Sequence, residues 1–145
     1  MDPLSVIASS VAVITATIQV GNGIAKLIAL RDVPEILMAL QNEVSSLQSV
    51  VFSCKSILDK HVTLGGGQGN VWGLPPGLVG VKDVLDRAKG LVEDICEVVN
   101  TKLVDSKGSF SKVKYLKEQS KLTKAKDEIR AIRIEIASGI GLMNS

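Results

Sequence analysis

Apolar residues recur along the chain in alternating steps of three and four, the spacing of helix faces. Between Pro3 and Ala25 there is no charged residue, a run of 23 positions. Within it Leu4, Ile7, Val11, Ile14 and Ile18 share one helical stripe. Val6, Val13, Val20 and Leu27 make a second at seven-residue spacing, and Ser5, Ser9, Ala12 and Ala16 make a third of small residues only. A helix apolar on most sides is expected to be surrounded, and its small stripe would let a neighbour's backbone come close. Gly21-Asn22-Gly23 is the expected weak point, where the helix bends or breaks before resuming towards Leu30.

Arg31-Asp32-Val33-Pro34 reads as a turn and helix start, with Pro suited to the first position and Asp32 able to cap amides. The next helix carries Leu37, Leu40, Val44, Leu47, Val51, Cys54 and Leu58 in an unbroken apolar stripe. Its outer face is expected at Gln41, Glu43, Ser45, Ser49, Lys55 and Ser56, and its end near Lys60-His61. Residues 63–77 read TLGGGQGNVWGLPPG, six glycines and two prolines in 15 residues. Such a segment predicts a flexible loop. A third helix is predicted over 78–104, with Val81, Val84, Ala88, Leu91, Ile95 and Val98 inward, widened by Leu85, Val92, Val99 and Leu103. Residues 105–109 form a second loop. The fourth helix is predicted over 112–140, with Leu122, Ala125, Ile129, Ile132, Ile136 and Ile140 inward, Arg130 and Arg133 outward, and Gly139 and Gly141 weakening its end.

With helices over 4–30, 34–61, 78–104 and 112–140 and no convincing strand pattern, the expected fold is all-α. The architecture is an antiparallel bundle of four helices, with five as the alternative count. The 145 residues make one ordinary domain. The last residues, Gly-Leu-Met-Asn-Ser, lack a stop signal, so the chain is expected to continue past Ser145.

Composition narrows the function. Hydrophobic residues are 46% and aromatics only 3%, so the core is aliphatic. Two cysteines make no disulfide framework, and the N-terminus lacks the basic region of a signal peptide; an intracellular location is expected. One histidine, His61, supplies neither a hydrolase triad nor a zinc site, and no acid–base pair or nucleophile stands out, so no enzyme and no cofactor or metal is expected. His61 reads as a residue at a helix C-terminus. Cys54 and Cys96 fall on or beside core stripes and read as inert thiols. The glycine run 65–69 meets neither phosphate-binding spacing and follows no strand, so it reads as loop. Trp72 is expected to tuck onto the bundle, with an interfacial anchor as the alternative.

The net charge of +2 hides an uneven distribution. Residues 107–126 hold seven lysines against Glu118, net +6. Lys112, Lys114, Lys117, Lys121 and Lys124, with Phe110 and Tyr115 interleaved, suit an anionic membrane surface, where each nearby lysine contributes about 1 kcal/mol. The plain alternative is a solvated face, with these lysines spread around the helix; no nucleic-acid motif accompanies them. The uncharged first helix is the other candidate. Residues 4–25 would span about 33 Å, close to a hydrocarbon core of about 30 Å. Seven of these 22 residues are polar, so a lone helix would insert marginally. A buried core helix is the competing reading. Leu4, Ile7, Val11, Ile14 and Ile18 are the insertion candidates.

Three segments carry a resemblance. MDPLSVIASSVAVITATIQVGNGIAKLI, VPEILMALQNEVSSLQSVV and YLKEQSKLTKAKDEIRAIRIEI resemble the N-terminal domain of fungal STAND/NLR-like proteins of the HeLo-like group, with Tyr115 where that family often has Trp. The resemblance covers nearly the whole chain, apart from the glycine-rich loop. It implies a helical module ahead of nucleotide-binding and repeat domains, similar to the four-helix killing domain of the mammalian necroptosis pseudokinase. The activity it implies is cell-death signalling in fungal immunity or heterokaryon incompatibility. The implied steps are homo-oligomerisation, release of the first helix and permeabilisation of the plasma membrane by a cytoplasmic protein. A non-lytic module that self-associates or docks a partner helix is the alternative.

Overall fold

The first helix begins on Asp2, whose carboxylate accepts the Leu4 amide at 3.0 Å, while Pro3 fills the first position, where a missing N–H costs nothing. In this computed structural model, which describes residues 2–30, 33–65 and 74–144, the chain is all-helical, with no strand among the described residues. Four long helices make up a helical bundle: α1 (Pro3–Ala29), α2 (Glu35–Gly65), α3 (Val81–Glu97) and α4 (Lys112–Asn144). A 3-10 turn at Pro76–Leu78 precedes α3, and a π-helical turn at Val98–Lys102 follows it.

Helices α1 and α4 do not lean on each other; each packs against both α2 and α3. Directions follow from specific contacts. Ser10, early in α1, meets Cys54, late in α2, so these two helices run antiparallel. Arg87 reaches Glu135 at 3.2 Å, while Val98, just past the far end of α3, shares a furrow with Lys121, so α3 and α4 are antiparallel as well. The Ser9 hydroxyl donates to Asp86 near the starts of α1 and α3 (3.4 Å), and Gly23 lies against Val99 and Asn100 near their ends. Helices α1 and α3 are therefore parallel neighbours, which an antiparallel bundle does not anticipate. The 15 residues between α2 and α3 are long enough to place α3 beside α1 instead of in a tight hairpin with α2.

The core follows the apolar stripes closely. Leu37, Leu40, Val44, Leu47, Val51, Cys54 and Leu58 of α2 are all buried, as are Leu85, Val92, Val99 and Leu103 around α3 and Leu122, Ile129 and Ile136 of α4. Each such side chain is worth about 1.5–3 kcal/mol of removed apolar surface. Val84, Leu91 and Ile140 sit half-buried at its edge.

Several boundaries differ from the sequence expectation. α2 runs on to Gly65, so His61 stands inside the helix and not at its end. α3 leaves α geometry at Glu97, where the π turn inserts. α1 runs unbroken through Gly21-Asn22-Gly23. There, a Cβ on Gly23 would lie 2.7 Å from Asn100 Oδ1 and 3.1 Å from Val99 Cγ1, so the glycine makes room for the π turn. α4 continues past Gly139, whose missing side chain leaves room for the backbone of Gly77, which a Cβ would strike. Asp32, Trp72 and the glycine run 66–69 lie outside the described residues.

Candidate functional site

Two surfaces collect the candidate residues. The first is α1. Its inner line is Val6, Ser10, Val13, Thr17, Val20, Ile24 and Leu27, all buried. The two hydroxyls are tolerated there because they turn back on their own helix: Ser10 donates to the Val6 carbonyl at 3.0 Å and Thr17 to the Ile14 carbonyl at 2.7 Å. The small stripe faces α3, with Ser9 on Asp86, Ala16 buried and Gly23 under the π turn.

The stripe singled out for insertion is divided. Ile14 is buried and Ile7 half-buried, but Leu4, Val11 and Ile18 are 61%, 45% and 46% exposed. They look away from the core, which corrects the expectation that this helix is surrounded. Both apolar stripes of α1 have helical spacing, so spacing alone does not say which one turns inward. By length and composition α1 could cross a bilayer: an 18-residue window has mean hydropathy 1.8, with 39% of it buried in the bundle. Core helices of soluble proteins have the same properties.

The second surface is the first half of α4. Lys112, Lys114, Lys117, Lys121 and Lys124 are all exposed. Four of them, from Lys114 to Lys124, follow steps of three, four and three and so line up on one side of the helix, not around it. Lys114 donates to the Val104 carbonyl at 2.8 Å. Among the described residues, Lys112, Lys117, Lys121 and Lys124 have no carboxylate within ion-pairing distance. The aromatic residues take a different part from the expected one. Tyr115 is buried against Phe110, ring centres 5.8 Å apart, and burial raises its phenol above the usual range. The apolar residues beside the lysines are instead Val113 and Leu116, each 67% exposed. Their signal was available: they lie on the side of α4 opposite Leu122 and Ile129.

Between α3 and α4 runs an open furrow of about 410 Å³ with Leu91, Ala131 and Ile132 on its floor and Arg87, Asp94, Glu128 and Glu135 on its rim. Across the bundle, Glu43 is 8% exposed and not on the outer face expected for it. Its carboxylate accepts from Arg130 at 2.9 and 3.0 Å and from Arg133 at 3.4 Å, tying α2 to α4. These groups satisfy one another and offer no reactive atom.

Cys54 is fully buried, and burial pushes its thiol up to about 11 against a partial counter-effect from Ser10, so it is inert near neutral pH. Cys96 is half-buried and accepts from Asn100 Nδ2 at 3.1 Å. No group of three potential metal ligands occurs among the described residues. No family model matches the chain, and no curated protein or solved structure does either.

Proposed function

We propose that this chain is a membrane-targeting, non-enzymatic signalling module of the cell-death type. In this reading it self-associates in the cytoplasm and releases α1 into the plasma membrane, with Lys112, Lys114, Lys117, Lys121 and Lys124 drawing it to anionic lipid. The observation that carries the reading is the state of α1. It is long enough to span a bilayer, free of charge from Pro3 to Ala25, and already turns Leu4, Val11 and Ile18 to solvent. Among the described residues, release breaks no ion pair of α1; it breaks the Ser9–Asp86 and Ser10–Cys54 links and apolar contacts that a hydrocarbon interior restores. The resemblance of its three segments to the HeLo-like domains of fungal NLR-like receptors supports the same reading. It also supplies the context of nucleotide-binding and repeat domains in one longer chain.

The second reading is a non-lytic module that acts by proximity after self-association or partner docking. The surface position of Leu4, Val11 and Ile18 favours it, because a helix already exposed need not leave the bundle to find a partner. Dye release from vesicles containing phosphatidylserine separates the two. The lytic reading expects leakage that depends on protein concentration and falls with added salt. Intact vesicles with both free and artificially oligomerised protein would sink it.

A further inference from the structure

Val113 and Leu116 are apolar side chains that the core of the bundle does not use. Each is 67% exposed. Three positions apart, they share one side of α4, opposite the buried line through Tyr115, Leu122 and Ile129. Around the helix, exposed Lys112 lies on one flank of the pair and exposed Lys114 and Lys117 on the other. Lys121 and Lys124 continue the cationic flank towards the middle of the helix. An apolar pair ringed by long, flexible cations suits a surface with anionic headgroups above and acyl chains beneath. The lysine stems lie along the apolar layer while their charges stay at headgroup level.

We propose that α4 docks side-on on an anionic lipid surface, with Val113 and Leu116 entering the acyl boundary, and that this contact holds α1 away from the bilayer. Resting on the reading of the chain as a membrane-targeted module, the proposal adds the apolar contact, the orientation and the order of events. Charge complementarity selects the partner. Among the described residues, Lys112, Lys117, Lys121 and Lys124 have no carboxylate within ion-pairing distance, so their charge is turned to solvent. A nucleic acid would use the lysines but gain little from a valine and a leucine. The patch has no arginine fork, and its rings, Phe110 and Tyr115, pack on each other instead of offering bases a stacking surface. Lipid uses both the charge and the apolar pair, and two weak signals together give stable attachment.

The bundle fixes what this contact does to α1. Both α1 and α4 pack on α2 and α3 and not on each other, so they occupy diagonal corners. Val6, Val13 and Val20 of α1 and Leu122 and Ile129 of α4 all point inward, so the outer sides of the two helices face opposite ways. With neighbouring axes about 8–10 Å apart and each helix about 10 Å wide, those outer sides are roughly 20–25 Å apart. An interfacial helix sinks only about 5–10 Å. A bundle lying on α4 therefore keeps Leu4, Val11 and Ile18 off the leaflet it sits on. Docking and insertion of α1 are successive steps, and the bundle must open between them.

Binding of the whole chain to vesicles of equal parts phosphatidylcholine and phosphatidylserine, followed by co-sedimentation, tests the proposal. Val113→Ser combined with Leu116→Ser is expected to bind at least about tenfold more weakly and to keep the wild-type melting midpoint, since both side chains are already in water. Its deficit relative to the wild type should persist as salt rises, because apolar contact is not screened. Orientation is read from a fluorescent label on single cysteines in a Cys96→Ser background, with Cys54 buried. Nitroxide-bearing lipid is expected to quench a label on Leu116→Cys and not one on Val11→Cys. A double serine variant that binds like the wild type would overturn the apolar contact. Quenching at Val11→Cys as strong as at Leu116→Cys would overturn the orientation. Tighter binding to duplex RNA than to these vesicles, unchanged in the double serine variant, would assign the lysines to nucleic acid and overturn the whole proposal. Docking and quenching as expected, with vesicles that never leak, would support it while ending the lytic reading. Leakage without quenching at Leu116→Cys would do the reverse.

Discussion

Helices α1 and α4 stand at opposite corners of the bundle and are held in opposite ways. α4 buries one apolar line and exposes Val113, Leu116 and Ile134 elsewhere, and the Glu43 carboxylate grips Arg130 and Arg133 beside the buried line, so charge helps fix how the helix is turned about its axis. α1 has apolar residues on both sides and, among the described residues, no ion pair. Its polar links to other helices are Ser9 with Asp86 and Ser10 with Cys54. Side-chain shape does most to set which of its faces is inward: the line through Val6, Val13 and Val20 fits the core, and Ser9, Ala16 and Gly23 let α3 come close. A helix held by shape, with a second apolar face outside, has little to lose in a new apolar environment. A helix held by charge stays.

The sharpest test of this contrast sets two neighbouring valines against each other. Val13→Asp places a carboxylate at a fully buried position with no partner and is expected to cost at least about 3–5 kcal/mol, enough to unfold a marginal bundle. Val11→Asp, two residues away and 45% exposed, is expected to change stability by about 0.5 kcal/mol or less. Urea titration followed by circular dichroism measures both. Equal losses would mean that α1 has no outer face.

Alkaline titration probes the α1–α2 contact at Cys54. Burial pushes its thiol from an ordinary value of 9.0 up to about 11, so the folded chain keeps the proton that the unfolded chain gives up. The contribution is intact below about pH 9 and is lost as pH rises through 11. A rise of this size corresponds to roughly 2–3 kcal/mol at most. The fall in stability over this range is therefore expected to be shallower in Cys54→Ala, compared by denaturant midpoint at each pH. Parallel curves would show that the thiol is not the source.

On α4, removing the charge grip should be felt next. Glu43→Ala leaves two guanidiniums without their carboxylate and is expected to cost about 1–3 kcal/mol by urea midpoint. Arg130→Ala alone should cost less, because Arg133 still satisfies Glu43 and Arg130 is more than half exposed. If Glu43→Ala were neutral, α4 would be held by shape as α1 is.

The sequence made the helical class and most of the core readable, because α2, α3 and α4 each carry one long apolar stripe, with only scattered apolar residues such as Met38, Phe52, Val113 and Leu116 off it. It was ambiguous where that condition fails. In α1 the lines through Leu4 and Val6 have the same period, and only the packed neighbours choose between them. Glu43 looked like a surface residue because it flanks the stripe through Leu40, Val44 and Leu47, and nothing local announces two arginines arriving from 87 and 90 residues away. The lysines were visible as a charge run. Their alignment from Lys114 to Lys124 needed only the steps of three and four, whereas the burial of Tyr115 needed the fold.

The two glycines of α1 separate local from tertiary causes. Nothing lies within 4 Å of the place a Cβ on Gly21 would take, so Gly21→Ala is expected to stabilise the helix by about 0.5–1 kcal/mol. Gly23→Val must displace Asn100 and Val99 and is expected to cost about 1–2 kcal/mol. Combining it with Asn100→Ala should return part of that loss. Thermal melts of the three variants check the order, and a neutral Gly23→Val would show that α1 and the π turn are not in tight contact.

The smallest expected effect on folding belongs to the lysine line of α4, and it is informative for that reason. Lys117, Lys121 and Lys124 are exposed and have no carboxylate in ion-pairing distance among the described residues. Replacing all three by Gln should move the melting midpoint very little, since no contact is lost and some mutual repulsion is relieved. Binding to vesicles containing phosphatidylserine is a different matter. At about 1 kcal/mol for each lysine near an anionic surface, the triple variant should bind roughly a hundredfold more weakly in low salt. The difference should shrink as salt screens both proteins. Placing the same three neutralisations beside Val11→Asp completes the contrast: one variant loses attraction to the surface and keeps its apolar stripe, the other keeps attraction and loses the stripe. If the triple variant binds anionic vesicles as well as the wild type does, the lysines are an ordinary solvated face, and only α1 is left to account for membrane affinity.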